Sequence, residues 1–488
     1  MVWTKATAHV SNVWRLQKRR VFMASGFIAA FELLLFRSNS QQFARLDDFA
    51  GLANSRTETL LDGVFHANFQ AGRFIPAVLQ ASLFRLTSTV DDLQYLRYIS
   101  TAVLALSGAI IAQFSLKLIG DKSFKNHFLA VSVGVIAITT TAAASAATWA
   151  ILAAPLLALP LALMGGVIAV SDGKPNSIGS WLWSFAFVLA AAFCYQQFTA
   201  LAVLPVALWA AVQFVETSVV HIKKLLITLA FVVFALFINA AYVFLYGDGA
   251  QERVLGGTVA ERIHWFGRIY IPRTIDIFLN NSLLSGVTSL GLLAAIFALL
   301  AVIRFRNFAF AFAAVVSWGA CSAVAFPTQF WASYRLIHPS QIALWSAAAF
   351  SVAYLASRLN SRTFVALMSL PVLLALFTTA ERARLNIAIP NNVDWVSTRC
   401  KVLNNPSVNT FVVNEWNSSL SNVHLYDEFG MVPSNFDWTL ALSVDFARRD
   451  LNETGEANIE LKKPVLIATE DITAMSPGTF LIIDHEGC

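Results

Sequence analysis

The chain has 488 residues, of which 57% are hydrophobic and 13% are charged, and its formal net charge is +5. A soluble globular protein carries about 25% charged residues, so this composition excludes a water-soluble fold and predicts an integral membrane protein. The basic residues fall mostly where membrane topology would place them, so the positive net charge does not indicate binding to nucleic acid.

About eleven apolar segments approach the length of roughly 20 residues that a membrane-spanning helix needs. The segments centre on 21–36, 94–119, 128–146, 150–170, 180–194, 198–214, 225–246, 283–303, 308–326, 340–357 and 363–380. A basic stretch at 15–20 precedes the first segment and no small-residue cleavage site follows it, so an uncleaved first span is expected. The sequence therefore predicts an α-helical polytopic membrane protein with a transmembrane domain over residues 1–384.

The charged residues indicate on which side of the membrane each connection between these segments lies. Lysines collect in the connections that share a side with the basic N-terminus, which the positive-inside rule assigns to the cytoplasm. The opposite side receives two long loops, 37–93 and 247–282, a short loop at 327–339, and the tail. No lysine occurs in these outer segments before Lys401, although they are rich in arginine. Membrane insertion alone does not predict arginine in place of lysine in the outer segments. We therefore expect the outer arginines to have a function.

The tail over residues 385–488 is polar, unlike the rest of the chain. Short β-rich runs at Thr410–Val413, Pro464–Ala468 and Thr479–Ile483 alternate with helical or loop stretches. This pattern predicts a small soluble α/β domain on the outer face. In an oxidising compartment Cys400 and Cys488 could form a disulfide, but no spacing motif decides the pairing.

The first outer loop carries an acidic pair, Asp47 and Asp48. A carboxylate at the membrane surface can act as a general base on an acceptor hydroxyl. The alternative is structural, since Asp47 or Asp48 could cap a helix that starts near Phe49. One residue can do both, so the sequence leaves the two interpretations open.

Arginine binds phosphate oxygens through a planar, bidentate fork, which lysine lacks. The outer loops combine such arginines with histidine and tryptophan. The substrate-binding candidates are Arg56, His66 and Arg73 in the first loop, Arg262, Trp265 and Arg268 in the second, and Arg335 in the short loop. The alternatives are arginines that reach lipid headgroups and, for the tryptophan, an interfacial aromatic belt.

With an acidic pair, Asp47 and Asp48, in its first outer loop, the chain resembles membrane glycosyltransferases of the GT-C class, in which that loop carries the catalytic acid. More narrowly, Leu46-Asp47-Asp48, followed in the same loop by Gly72-Arg73-Phe74, resembles the Gtr-type serotype-converting glucosyltransferases of O-antigen. That resemblance implies a polyprenyl-phosphate-glucose donor and a sugar hydroxyl of lipopolysaccharide O-antigen as acceptor. It also implies an inverting displacement at the periplasmic face of the bacterial inner membrane.

By the same resemblance, Asp47 or Asp48 would be the base and Arg73 would bind the donor phosphate. Metal use varies within the class, so a divalent metal is possible and none is assigned. The rival hypothesis is a transporter or flippase of lipid-linked sugars. Such proteins often contain internal repeats and interrupted helices, and the sequence contains no evident repeat.

Overall fold

The computed structural model describes residues 40–55, 64–87, 89–120, 123–171, 178–247, 258–275, 283–303, 305–326, 334–358, 383–412, 437–467 and 481–482. Most of these residues are helical. The helices are α1 (Leu46–Ser55), α2 (Val64–Gln70), α3 (Phe74–Arg85), α4 (Leu93–Ile119), α5 (Phe124–Ile138), α6 (Thr141–Ala147), α7 (Ala158–Ser171), α8 (Ile178–Cys194), α9 (Val203–Thr217), α10 (Ile222–Tyr246), α11 (Val259–Trp265), α12 (Ile271–Ile275), α13 (Leu283–Ile303), α14 (Phe308–Ala325), α15 (Tyr334–Arg358), α16 (Ile389–Asn404) and α17 (Asp437–Glu453). The strands are β1 (Thr410–Val412), β2 (Val465–Ile467) and β3 (Leu481–Ile482).

Four helical segments are long and apolar enough to cross a membrane: Leu93–Ile119, Gln196–Thr217, Ile222–Tyr246 and Phe308–Ala325. Each expected span within the described ranges overlaps a helix, whereas 21–36 and 363–380 lie outside those ranges. The exposed face of α10 is apolar, with Phe234 and Phe237 exposed to 54% and 67%. An exposed apolar helix face is unfavourable in water and favourable in contact with lipid. The chain is therefore a helical membrane protein.

Small residues let the spans pack closely, as is usual where lipid gives no hydrophobic drive between helices. A Cβ atom added at Gly134 of α5 would lie 2.3 Å from the backbone oxygen of Gly108 in α4. A Cβ atom at Gly166 of α7 would lie 2.2 Å from the backbone oxygen of Ala202. At these two positions the close approach of the neighbouring backbone requires glycine.

The apolar stretch between residues 128 and 170 is more broken than two simple spans. Helix α5 ends at Ile138, and Thr140 then caps the short helix α6 through a hydrogen bond from the backbone N–H of Ala143 at 3.3 Å. Two 3-10 turns, Ala150–Leu152 and Pro155–Leu157, follow before α7 begins. Irregular backbone at membrane depth is tolerated only where protein buries it or where it lines a cavity. Both conditions hold here, as shown below.

The tail contains a three-stranded parallel sheet in the order β2-β1-β3. Phe411 in the central strand pairs with Leu466 on one side and with Leu481 on the other. The three predicted β-rich runs coincide with the three strands. A parallel pair needs a crossover connection, and α17 lies in the one between β1 and β2.

The described part of the tail packs against α1 and shares a core with it. Phe49 of α1 is buried between Trp395 of α16 and Phe446 of α17, with ring centroids 5.9 and 6.1 Å away. Phe84 and Leu93 belong to the same buried cluster. The helix that carries Asp47 and Asp48 is therefore held in part by the C-terminal segment.

Candidate functional site

Asp48 lies in the first turn of α1, which begins at Leu46 rather than near Phe49. Its Oδ2 atom accepts the backbone N–H of Arg45 at 3.0 Å, which is the reverse half of a capping box. Its Oδ1 atom accepts the backbone N–H of Ile151 at 2.9 Å. The side chain is fully buried. Asp48 thus both completes the N-terminus of α1 and ties α1 to the interrupted segment after α6.

Burial raises the pKa of Asp48 from 3.8 to about 6. The hydrogen bond from Arg45, the charge of Arg97, the hydrogen bond from Ile151 and the charge of Arg45 act in the opposite direction. Burial outweighs them because a carboxylate loses its hydration in the protein interior. The pKa of Asp48 is therefore well above its ordinary value, although both carboxylate oxygens accept hydrogen bonds.

Two buried arginines surround this carboxylate. Arg97 of α4 donates to the backbone oxygens of Phe43 and Gln41 at 2.7 and 2.8 Å. Arg45 donates to the backbone oxygen of Ser145 at 2.9 Å, and its guanidinium lies 4.2 Å from the ring centroid of Trp149. These contacts fix the segment before α1 against α4 and α6.

The other candidates of the first outer loop, apart from Arg73, fall in different surroundings. Asp47 belongs to the first turn of α1, and its side chain is outside the described set, as is the whole of Arg56. His66 is exposed on α2.

The Gly72-Arg73-Phe74 sequence forms a tight turn between α2 and α3. Gly72 has φ of 71°, a left-handed conformation that favours glycine. Its backbone oxygen accepts the side-chain amide of Asn239 at 2.8 Å. Gln196 donates to the backbone oxygen of Ala71 and to the side-chain oxygen of Asn239, both at 2.8 Å. Polar side chains of two spans therefore clamp this turn.

The same turn presents Arg73 to an aromatic ring. The guanidinium carbon of Arg73 lies 4.6 Å from the ring centroid of Tyr195, within the range of a cation–π contact. Phe74 packs on Phe193 and Tyr242, with centroids 4.7 and 4.4 Å away. Half-buried Arg73 is thus oriented by its neighbours, which suits a side chain that must meet a ligand with a fixed geometry.

Residues 258–275 of the second loop pack against α14 and α15. Arg262 is buried and donates to the backbone oxygen of Phe326, just after α14, at 3.3 Å. Trp265 is buried beside Tyr270, with centroids 5.5 Å apart. The hydroxyl group of Tyr270 is 2.8 Å from that of Ser340 in α15. Arg262 and Trp265 therefore have clear packing roles, whereas Arg268 is exposed.

Helix α15 starts in the short outer loop, and its first turns face a cleft in the protein. Arg335 lies in the first turn, but its side chain is not among those described. One turn later, His338 is 1% exposed and touches the cleft. The cleft is small, with a volume of about 10 Å³, which is room for about one water molecule. It is lined by Ala142, Ser145, Ala146, Leu152, Pro155, Leu156, Tyr195, Phe198 and His338. We call it the α6–α15 cleft.

Residues of the 37–93 segment contact residues that line this cleft. Arg45 bonds to Ser145, and Arg73 stacks on Tyr195, so each touches a lining residue. Asp48 bonds to Ile151, the neighbour of the lining residue Leu152. The lining residues come from α6, the two 3-10 turns after it, the segment before α9 and α15, which lie far apart in the chain. Of these residues, the sequence pattern indicates only His338, as part of the polar 327–339 loop. For α6 and the turns after it, the interrupted stretch after Ile138 was the one available signal.

No group of three or more His, Cys, Asp or Glu side chains that could hold a metal occurs among the residues that the structure describes. Cys400 is disulfide-bonded, and its predicted partner Cys488 lies outside those residues. No protein-family model matches the chain, and no curated protein matches it.

Proposed function

We propose that this protein is a GT-C-like membrane glycosyltransferase of the bacterial inner membrane. It would have about eleven transmembrane helices and a C-terminal periplasmic α/β domain. It would move glucose or a related hexose from a polyprenyl-phosphate donor to a sugar hydroxyl of lipopolysaccharide O-antigen. One observation carries the proposal: the turn with Arg73 contacts Tyr195, which lines the α6–α15 cleft, and the helix with the acidic pair is bonded to Ile151, next to the lining residue Leu152.

The chemistry is an inverting displacement. The acceptor oxygen forms a bond to the anomeric carbon of the hexose, and the bond from that carbon to the phosphate oxygen breaks. The electron pair leaves with polyprenyl phosphate, and a carboxylate takes the proton of the acceptor hydroxyl. An arginine beside the leaving phosphate stabilises the charge that develops there.

We assign the general base to Asp47 and a positioning role to Asp48. Both carboxylate oxygens of Asp48 accept backbone N–H groups, and its side chain is fully buried. A base must reach the proton that it removes. Asp47 is the neighbouring carboxylate in the first turn of the same helix, and the buried contacts of Asp48 hold that turn in place.

Arg73 is assigned to the donor phosphate because its contact with Tyr195 orients it at the cleft. Exposed His66 and Arg268 are candidates for contact with the donor headgroup or the acceptor glycan at the surface. Arg56 and Arg335 remain predictions of the same kind. Arg262 and Trp265 act by holding the second loop, through the contacts given above.

The disulfide at Cys400 supports a periplasmic tail, because disulfides persist in oxidising compartments and are rare in the cytosol. The absence of lysine from the outer segments before Lys401 supports the same topology. A periplasmic tail beside α1 would stand where a polysaccharide acceptor reaches the membrane.

The test is glucose transfer from polyprenyl-phosphate-glucose to O-antigen in membrane vesicles. Asp47→Asn and Arg73→Lys are compared with wild type at equal protein levels, and Asp445→Asn in α17 is the matched control. We expect Asp47→Asn to lose roughly 10²–10⁴ in rate and the control to retain activity. Wild-type vesicles that form no product would overturn the proposal.

One observation favours a second candidate, a transporter of lipid-linked sugars. The segment between α5 and α7 is interrupted by a short helix and two 3-10 turns, and transporters often bind substrate at discontinuous helices. Reconstituted protein that moves polyprenyl-phosphate-glucose across a bilayer without forming product would establish this candidate instead.

A further inference from the structure

Helix α3 carries an exposed apolar face. Val78, Leu79 and Leu86 are exposed to 52%, 39% and 82%. Together with Ser82 and Arg85, which are also exposed, they occupy about a third of the helix circumference. The opposite side of α3 is buried against the protein. A surface helix of a water-soluble protein presents polar residues on its exposed side, so this face of α3 is unfavourable in water.

An aromatic cluster joins the start of α3 to the apolar face of α10. Near its C-terminal end, α10 exposes Phe244 and Tyr246 to 69% and 66%. Phe69 of α2 is 40% exposed, and its ring centroid lies 5.1 Å from that of Phe74 and 5.7 Å from that of Tyr242. The apolar surface that α10 presents to lipid therefore meets α3 at this cluster.

The Gly72 turn sets the depth at which α3 begins. Asn239 donates to the backbone oxygen of Gly72 and lies seven positions, or about 10 Å, before the end of α10 at Tyr246. Helix α10 has 25 residues and is about 37 Å long, so it extends about 4 Å beyond each side of a hydrocarbon core of roughly 30 Å. The turn thus lies about 6 Å inside the edge of the core. Helices in the plane of a membrane surface lie about 5–10 Å into the boundary between headgroups and acyl chains.

The length and charge of α3 fit the same location. With 12 residues it is about 18 Å long, which is too short to cross the hydrocarbon core. Arg85, in the last turn, is its one charged residue. A guanidinium group can reach the headgroup level from an apolar surface and binds phosphate oxygens there. The exposed face therefore combines apolar side chains for acyl chains with a cation for lipid phosphate.

We propose that α3 lies in the membrane surface, in the leaflet at the C-terminal end of α10, with Val78, Leu79 and Leu86 against acyl chains and Arg85 on lipid phosphate. The partner of this face is the phospholipid bilayer. The inference does not depend on the proposed reaction, because it stands on exposure, depth and charge. Arg73 immediately precedes α3, so a donor phosphate would meet it without leaving the membrane surface.

The test places a bimane fluorophore on single cysteines of the full-length protein in vesicles of phosphatidylethanolamine and phosphatidylglycerol. Val78→Cys, Leu79→Cys and Leu86→Cys examine α3. Phe234→Cys, in the middle of α10, is the control for lipid, and Glu460→Cys, exposed in the tail, is the control for water. Protein without an added cysteine is labelled in parallel to subtract the background. All five positions are exposed, so melting temperatures should equal that of wild type.

The position of the quencher measures depth. A 5-doxyl lipid should quench the three α3 labels roughly twofold or more strongly than a 12-doxyl lipid, because the helix lies near the headgroups. The Phe234→Cys label should show the opposite order, and iodide should quench mainly the Glu460→Cys label. Iodide quenching of the α3 labels without quenching by lipid would place the face in water and overturn the inference. Stronger quenching by the 12-doxyl lipid would place α3 too deep, and quenching by neither agent would show that protein covers the face; each result overturns it.

The contact of Arg85 is tested by its charge. In the Leu86→Cys protein, Arg85→Glu should weaken quenching by the 5-doxyl lipid about twofold, because a carboxylate is repelled from lipid phosphate and costs more to hold near the acyl chains. Arg85→Lys keeps the positive charge and is the matched control, which should retain the quenching. Equal quenching in the Glu and Lys variants would contradict the phosphate contact.

Discussion

The carboxylate of Asp48 accepts a hydrogen bond from the backbone N–H of Ile151 at 2.9 Å, across 103 positions of the chain. The same carboxylate accepts the N–H of Arg45, so one side chain joins the start of α1 to the interrupted segment beneath the cleft. Because Asp48 is held by these two hydrogen bonds, we expect substitutions of Asp47 and of Asp48 to have different effects.

We expect Asp48→Asn to lower the free energy of unfolding by about 1–3 kcal/mol. The amide has one acceptor oxygen, so its NH₂ group must face one of the two backbone N–H groups. Asp47→Asn should instead abolish transfer with a smaller loss of stability. Thermal unfolding in detergent and the transfer assay, run on both variants, check this division. Loss of transfer in Asp48→Asn at full wild-type stability would instead make Asp48 the base.

The pKa of Asp48 gives a pH dependence with a definite sign. Its folded value of about 6 exceeds the ordinary 3.8, so the folded state binds the proton more tightly than the unfolded state. Protonated Asp48 therefore stabilises the folded state. This stabilisation is complete below about pH 4 and is lost as the pH rises through 6. The difference between the two pKa values corresponds to about 3 kcal/mol in the free energy of unfolding. The melting temperature of wild type minus that of Asp48→Asn, measured from pH 4 to 7, should decrease as the pH rises. A difference that does not change with pH would contradict the raised pKa of Asp48.

The Gly72 turn should not tolerate a side chain. A Cβ atom there would lie 2.8 Å from the side-chain nitrogen of Asn239 and 2.9 Å from a methyl group of Val243, and φ is 71°. The left-handed conformation alone costs about 1–2 kcal/mol for alanine. Gly72→Ala should therefore lower the melting temperature and impair transfer through Arg73. Gly319→Ala in α14 is the control, since its Cβ would meet no atom within 4 Å, and it should be neutral or stabilising.

Sequence patterns anticipated the features that depend on local composition. The predicted spans within the described ranges overlap helices, and the three β-rich runs of the tail are strands, because length, hydropathy and β-branching act locally. The start of α1 was misplaced because Asp48 accepts the N–H of Arg45 from inside the helix rather than ahead of it. The composition of residues 37–97 gave no sign that Arg45 and Arg97 would be buried against backbone oxygens.

The α6–α15 cleft could not be derived from the sequence. Ser145, Tyr195 and His338 come from separate segments, and only tertiary packing brings them to one wall. Tyr195 lies between the predicted spans 180–194 and 198–214, and no sequence pattern indicates that its ring contacts Arg73. Residues of this kind carry no spacing signal, because each sits alone in its own segment.

The contact between the tail and α1 should matter for stability. Trp395 is 4% exposed and packs against Phe49, next to Asp48 in the chain. Trp395→Ala should cost about 3–5 kcal/mol and loosen the tail from α1. Limited trypsin digestion at exposed Arg384 should then release a C-terminal fragment faster. Trp183→Ala is the control, since Trp183 is 37% exposed on α8. Equal digestion of both variants would contradict a shared core.

The oxidation state of Cys400 can be measured to determine the compartment of the tail, independently of any transfer assay. Peptide mapping without reduction should find Cys400 in a disulfide-linked peptide, and blocking of free thiols in the folded protein should leave buried Cys194 and Cys321 unmodified. After unfolding without reductant, Cys194 and Cys321 should react while Cys400 stays protected. Cys400→Ser should lower the melting temperature if the bond constrains the tail. A Cys400 thiol that reacts in intact cells without reduction would argue against an oxidising compartment, and hence against a periplasmic tail.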